Sequence, residues 1–200
     1  MAPPIKIALS GMKGSGKDYC LELIKKETSC NVISYSFSDQ LKNICHELFP
    51  WLDLDYPPQE KEHKQFYNRA IDDFYAPRDI WTMMNVIVDI DPKVLVRRVE
   101  SEYRSSMSSG YLDNVDFAIV KDLRPHNPEE LAFCLKNNFK IIYIENGCNP
   151  IKDVSSLHTT EKGYGDIELF ATARFVNRKN NDTDFINFLK GQVEQWQSQR

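Results

Sequence analysis

Two hundred residues, with 42% hydrophobic and 27% charged content, have the make-up of an ordinary globular chain with material for one sizeable core. A net charge of −4 argues against general nucleic-acid binding by phosphate neutralisation, although one cleft can still gather Arg and Lys. No apolar run is long enough to span a bilayer, and Met1-Ala2-Pro3-Pro4 lacks the charged start and apolar stretch of a signal peptide. Cys20, Cys30, Cys45, Cys134 and Cys148 are odd in number and show neither C-x-x-C nor zinc spacing, so reduced thiols in a cytoplasmic protein are expected.

In chain order, Ile5-Lys6-Ile7-Ala8-Leu9 is apolar and β-prone, and residues 18–27 read as a helix with Cys20, Leu21, Leu23 and Ile24 on one face. Between them stands Gly11-Met12-Lys13-Gly14-Ser15-Gly16-Lys17, which fits the G-x-x-x-x-G-K spacing of a phosphate-binding loop in its required strand–loop–helix setting. Glycines let backbone N–H groups turn inward around phosphate oxygens, and the helix start adds partial positive charge. Lys17 is placed to reach the terminal phosphates. Lys13 is open to phosphate contact or to solvent. Asp18 follows Lys17, where Ser or Thr usually ligates Mg²⁺; it can act on the cation through water or favour the helix start.

Residues 32–36 form the second predicted strand. Ser38 and Asp39 can cap the next helix, which carries Leu41, Ile44, Cys45, Leu48 and Phe49 at helical spacing and stops at Pro50. Residues 51–76 are polar, and their charge run predicts a solvated helix with a flanking loop; a substrate-covering role is the alternative. Pro77 opens a helix over 78–88, and Asp91-Pro92 opens another that runs to Tyr103 with Arg97, Arg98 and Arg104 on its other face. Residues 105–110 read as a Ser/Gly linker. Phe117-Ala118-Ile119-Val120 is a buried-type strand leading into Lys121-Asp122-Leu123-Arg124. A helix over 128–137, a strand at 141–144, a loop-rich stretch over 147–165, a fifth strand within 167–176 and a helix capped by Asp182 follow.

The alternation predicts an α/β fold with a central parallel five-stranded sheet, helices on both faces, and ligand at the carboxyl ends of the strands. That brings together the loop 11–17, the segment after Ser36, and Lys121–Arg124. No N-K-x-D guanine signature is present, and the length leaves no room for a motor's accessory domains. Arg78, Arg97, Arg98 and Arg124 fall on segments predicted to border the cleft, where they could hold an acceptor phosphate in line and neutralise the transferred oxygens. Asp122, at a strand end, is suited equally to Mg²⁺ and to pairing with Arg124. His158 and Glu161 form His-x-x-Glu, but no third ligand is near in sequence, so a metal site is not predicted there. Phe185, Phe188, Leu189 and Trp196 are assigned to the core, with a homodimer face as the alternative.

The set of motifs resembles the deoxynucleoside monophosphate kinases of tailed bacteriophages. Ser10 to Asp18 looks like that family's loop, in which Asp also follows Lys. Ser38-Asp39-Gln40-Leu41-Lys42 resembles its second-strand exit, where a helix starts over the substrate cleft. Pro77-Arg78-Asp79-Ile80-Trp81-Thr82-Met83-Met84-Asn85 resembles the segment that gives an Arg to the acceptor phosphate and a side chain to the base. Asp91-Pro92-Lys93-Val94-Leu95-Val96-Arg97 resembles D-P-x-x-W-V-R. The segment from Val120 to Glu129 resembles the D-V-R-x-x-N-E strand end, and His158-Thr159-Thr160-Glu161 the late H-x-[ST]-E loop. Thr82, Asn85 and Leu95 stand where that family commonly has Gln, Gly and Trp, and Ile144-Glu145-Asn146 lacks an Arg often found there.

The resemblance implies a single P-loop kinase domain over 1–200, with a helical substrate-covering region at about 51–110. It implies ATP and Mg²⁺ as donor and cofactor and a deoxynucleoside monophosphate as acceptor, with no nucleic-acid or membrane partner. Lys17, Asp122, Arg78 and Arg124 would be catalytic, and Asp18 or Asp122 would steer the cation. Asp39, Lys42, Arg78, Trp81, Thr82, Asn85, Arg97, Arg98 and Arg124 would face the acceptor. Animal phosphomevalonate kinases resemble the chain more distantly, through a similar G-K-D loop and D-x-R strand end.

Overall fold

Long runs of Ile, Val and Leu without polar interruption demand burial on both sides, and the chain meets that demand with a parallel sheet. The computed structural model describes residues 3–27, 30–57, 59–70, 72–124, 126–147, 164–178 and 182–198. It divides into two units, residues 1–36 with 100–200, and residues 37–99.

The first unit holds β1 (Ile5–Ser10), α1 (Lys17–Glu27), β2 (Val32–Tyr35), β5 (Phe117–Leu123), α6 (Pro128–Lys136), β6 (Lys140–Asn146), α7 (Tyr164–Phe170), β7 (Ala173–Asn177) and α8 (Asp182–Ser198). The five strands pair in parallel in the order β2-β5-β1-β6-β7. The fold is therefore α/β, as predicted. β1 lies at the centre, with Ile7 opposite Ile119 on one side and Leu9 opposite Ile142 on the other. The period-2 alternation of a strand splits the core between two faces. Ile7, Leu9, Phe117, Ile119, Ile142, Ile144 and Phe175 pack with Leu21 and Ile24 of α1 and with Phe185, Leu189 and Trp196 of α8. The last three, with partly buried Phe188, are thus core residues. The residues that alternate with these on β5 and β6, Ala118, Val120, Ile141 and Tyr143, are buried as well. Beyond them Tyr103 sets its ring edge-on to Tyr35 and to Phe133 of α6.

The chain leaves β1 toward one edge of the sheet and leaves β6 toward the other, so the loops after these two neighbours diverge and open a crevice at their carboxyl ends. β1 is irregular there, with its register to β5 shifting between Ala8 and Ser10. The Ser10 hydroxyl donates to the Leu123 carbonyl at 3.0 Å.

The second unit comprises α2 (Phe37–Leu48), β3 (Phe66–Asn68), β4 (Asp73–Tyr75), α3 (Pro77–Met84), α4 (Val86–Ile90) and the first part of α5 (Val94–Ser108). Phe37, Leu41 and Cys45, four residues apart, are the buried stripe of α2. Pro77 occupies the first turn of α3, and Asp79 accepts the Ala76 N–H at 2.9 Å to close the helix start.

Five sequence expectations need correction. Residues 51–76 are turns and an antiparallel hairpin rather than a solvated helix; Phe66-Tyr67 and Phe74-Tyr75 are aromatic β-formers that the surrounding charges obscured. The helix expected over 78–88 breaks at Asn85, before the β-branched run Val86-Ile87-Val88. Ser38 and Asp39 lie within the first turn of α2, not at its cap. α5 continues through the expected linker to Ser108, with the Ser106 and Ser108 hydroxyls turned back to the Glu102 and Ser105 carbonyls; Gly110, at φ +68°, follows the helix end. Residues 167–176 are the end of α7 followed by β7, since a short apolar run does not by itself separate helix from strand. Much of the loop-rich stretch over 147–165 lies outside the described residues. Among the described residues, no helix is long and apolar enough to cross a membrane.

Gly191 sits inside α8 with nothing within 4 Å of the position its Cβ would take. Gly191→Ala should therefore stabilise the chain by about 0.5–1 kcal/mol through unfolded-state entropy alone. Thermal unfolding should show a rise in Tm of roughly 2 °C.

Candidate active site

In the first unit the glycine-rich loop has the backbone its sequence requires. Gly11, Gly14 and Gly16 take φ of +146°, +77° and +94°, values that L side chains rarely adopt. A Cβ on Gly11 would lie 2.2 Å from the Ile144 carbonyl oxygen, and one on Gly16 would lie 2.1 Å from Nδ2 of Asn177. Gly14 has open space around it, so its glycine answers to conformation rather than to crowding. The Ser15 N–H donates to the Met12 carbonyl at 3.1 Å. Ser15 Oγ is buried with no hydrogen-bond partner among the described residues.

Lys17 opens α1 and turns back over the loop. Its ammonium donates to the Gly11 carbonyl and, at 3.0 Å, to the Met12 carbonyl. These carbonyls hold the cation at the loop mouth. Lys13 is exposed, and Asp18 is exposed in the first turn of α1, where a carboxylate suits the helix dipole. Cys20, one turn further on, is buried, and burial raises its thiol to about 12 against the pull of Lys17, so it is a packing residue.

Asp122 is the penultimate residue of β5, 8% exposed, and its Oδ2 accepts the Ser36 hydroxyl at 2.9 Å. The structure therefore joins the end of β5 to the residue that follows β2, two of the three segments that the topology was expected to gather. Arg124 is half-buried just beyond, and its backbone N–H donates to Glu130 at 3.4 Å. Among the described residues no cluster of three or more His, Cys, Asp or Glu can cage a metal. Asp122 beside the Ser36 hydroxyl still fits Mg²⁺, which takes one or two carboxylates and fills its shell with water and phosphate oxygens. His158 and Glu161 lie outside the described residues.

In the second unit the expected acceptor residues form local groups. Lys42 pairs with Asp39 at 3.3 Å and places its ammonium 5.3 Å above the Trp81 ring. Tyr56 packs on the same indole, with centroids 6.0 Å apart, and the indole N–H is buried with no partner among the described residues. Arg78 pairs with Glu62, Arg97 with Asp91, and Arg98 with both Glu47 and Gln40. The arginine hydrogen bonds hold the Glu47 and Asp91 carboxyls below their usual range. Thr82 is exposed, and Asn85 forms the joint between α3 and α4.

Sequence reasoning missed four participants: Ser36, Glu130, Asn146 and Asn177. The last two stand at the carboxyl ends of β6 and β7, and the only trace of them in the sequence is an Asn closing each of two apolar strands. Glu130 is fully enclosed. Burial first and the Asp122 carboxylate second push its carboxyl well above 4.5, against the pull of Arg124 and Asn127.

No protein-family model matches the chain, and no curated protein matches it. Solved structures are similar to it at low identity. Shikimate kinase from Acinetobacter baumannii, in complex with shikimate, is 11% identical with a TM-score of 0.46, covering 96% of this chain and 94% of that one. The APS kinase of Mycobacterium tuberculosis is 14% identical at 0.41, covering 94% and 97%. Shikimate kinase from Bacteroides thetaiotaomicron is 12% identical at 0.39, covering 95% and 98%. The functional reading below rests on the loop and its neighbours.

A carboxyl whose folded pKa is raised binds its proton more tightly in the folded chain than in the unfolded one. Its contribution to stability is complete below pH 4.5 and declines as pH rises toward the folded value. Glu130→Gln keeps the shape without the ionisation. Its Tm relative to wild type should therefore climb steadily between pH 5 and pH 8, and thermal scans across that range would show a flat difference if Glu130 titrated normally.

Proposed function

We propose that the chain is an ATP-dependent kinase that converts a deoxynucleoside monophosphate to the diphosphate. The observation that carries this reading is the phosphate loop with Lys17 poised over its mouth, in the same unit as a strand-end Asp122 tied to Ser36. Backbone N–H groups of Gly14, Gly16 and Lys17, at the start of α1, would hold the donor phosphates, and Lys17 would exchange loop carbonyls for phosphate oxygens. Asp122, with Asp18 acting through water, would hold Mg²⁺, which when bound neutralises charge on the donor phosphates. Arg124 lies next to this carboxylate in sequence and would meet the transferred group.

In the second unit Arg78 already pairs with one anion, Glu62, through its Nε, a contact that a phosphate would replace. Arg97 and Arg98 likewise hold carboxylates that an acceptor phosphate would replace. Trp81 offers the base an aromatic face and a buried N–H with no partner among the described residues, while Lys42, Asp39, Thr82 and Asn85 would complete the acceptor contacts. In the reaction an acceptor phosphate oxygen attacks the γ-phosphorus, the bond from that phosphorus to the β–γ bridging oxygen breaks, and ADP leaves. The acceptor is already ionised, so no general base is needed, and positioning with charge neutralisation supplies the rate.

An ADP-release assay with each deoxynucleoside monophosphate in turn should show stimulation by at least one of them. Lys17→Ala should lower that turnover by about 10² or more, and Arg78→Ala should raise the acceptor KM while leaving ADP affinity unchanged. Turnover with phosphomevalonate but with no nucleotide would move the chain to the phosphomevalonate kinase reading. Nucleotide binding without transfer to any small acceptor would leave a binding protein.

A further inference from the structure

The phosphate loop is held from behind by two side chains that lie outside its motif. Asn146 ends β6 and Asn177 ends β7, and the two are register partners across these parallel strands. The Asn146 amide donates to the Gly14 carbonyl at 3.0 Å, and the Asn177 amide donates to the Ser15 carbonyl at 2.8 Å. Two neighbouring amides thus bind two successive loop carbonyls. Gly147 N–H donates to the Asn177 carbonyl at 2.9 Å, which ties the two strand exits to one another.

A trans peptide points its carbonyl and its N–H in opposite directions. Fixing the Ser15 carbonyl on Asn177 therefore fixes the Gly16 N–H on the far side of that peptide. Fixing the Gly14 carbonyl on Asn146 holds the preceding peptide, whose Ser15 N–H donates within the loop to the Met12 carbonyl. The Gly16 N–H lies just before Lys17, where α1 begins and where its first N–H groups have no partner within the helix. Gly16 and Asn177 are also matched sterically, because the amide nitrogen occupies the place that a Cβ at position 16 would need.

We infer that Asn177, assisted by Asn146, is a positioning residue for phosphate binding. Its amide holds the 15–16 peptide with its N–H toward the phosphates, so the loop does not spend binding energy on turning that peptide when nucleotide arrives. The inference rests on the loop binding nucleotide phosphates and is independent of the acceptor's identity.

The test is ADP binding by calorimetry on the full chain, with Tm measured alongside. Asn177→Ala should weaken ADP binding by about tenfold with Tm changed by only a few degrees, and Asn146→Ala should weaken it by a smaller factor. Asn177→Asp gives the sharper readout. Its carboxylate cannot donate to the Ser15 carbonyl at pH 7.5, whereas the protonated form can. Its affinity relative to wild type should therefore recover as pH falls toward 4, into the ordinary titration range of an Asp carboxyl, while the Asn177→Ala ratio stays flat. Should Asn177→Ala fail to fold, Asn146→Ala and the pH series of Asn177→Asp carry the same test. Wild-type affinity in both alanine variants, or an Asn177→Asp ratio that does not move with pH, would overturn the inference while the nucleotide reading stands. A wild-type chain that binds no ADP overturns both.

Discussion

At Gly11 the backbone passes so close to the end of β6 that a Cβ would sit 2.2 Å from the Ile144 carbonyl oxygen. That approach leaves no room for any other residue, and it governs the loop that follows. The chain leaves β1 pressed against its neighbour, turns through two further positive-φ glycines, and enters α1 with Lys17 folded back over the turn. The course of the loop starts from this contact between backbones. A side chain could be repacked; a backbone carbonyl in a five-stranded sheet is anchored by its own ladder.

The sheet can act as an anchor because both of its faces are filled. Truncating a buried Leu or Ile in such a core costs about 2–5 kcal/mol, a large share of the stability of a typical domain. Leu9 and Ile144, on strands that flank the crevice, are fully buried. The second unit follows a different balance. Its arginines lie in exposed pairs with carboxylates, and such pairs add little to stability. They orient guanidinium groups instead. Rigid backbone therefore serves the phosphate loop, while exchangeable ion pairs serve the residues proposed to meet the acceptor.

The parallel sheet was legible from its apolar runs, and the loop from its spacing, because both depend on local composition. The hairpin in residues 37–99 was not, because two three-residue strands carry too little periodicity to outweigh the charges around them. α7 was hidden for a related reason, as its end and β7 read as one apolar run. In the site, Lys17 and Asp122 could be named from motif and strand end. Asn146 and Asn177 could not, since their role depends on the register of β6 with β7 and on how near β6 comes to β1. Glu130 looks in the sequence like one of two acids opening α6, and only its burial beside Asp122 distinguishes it from half-buried Glu129.

The strand order has a consequence for synthesis. β1 is the first strand to be made, and both of its sheet neighbours come late, β5 starting at Phe117 and β6 at Lys140. At ribosomal rates of about 5–20 residues per second, β1 waits on the order of ten seconds before either flank exists. During that interval an apolar strand with two open edges is exposed to chance pairing with other chains. The phosphate loop emerges with β1 and takes its bound form only after β6 and β7 arrive to receive it. The segment that carries β1 is thus made well before it can mature, and chaperone demand should concentrate on it while its sheet neighbours are still to come.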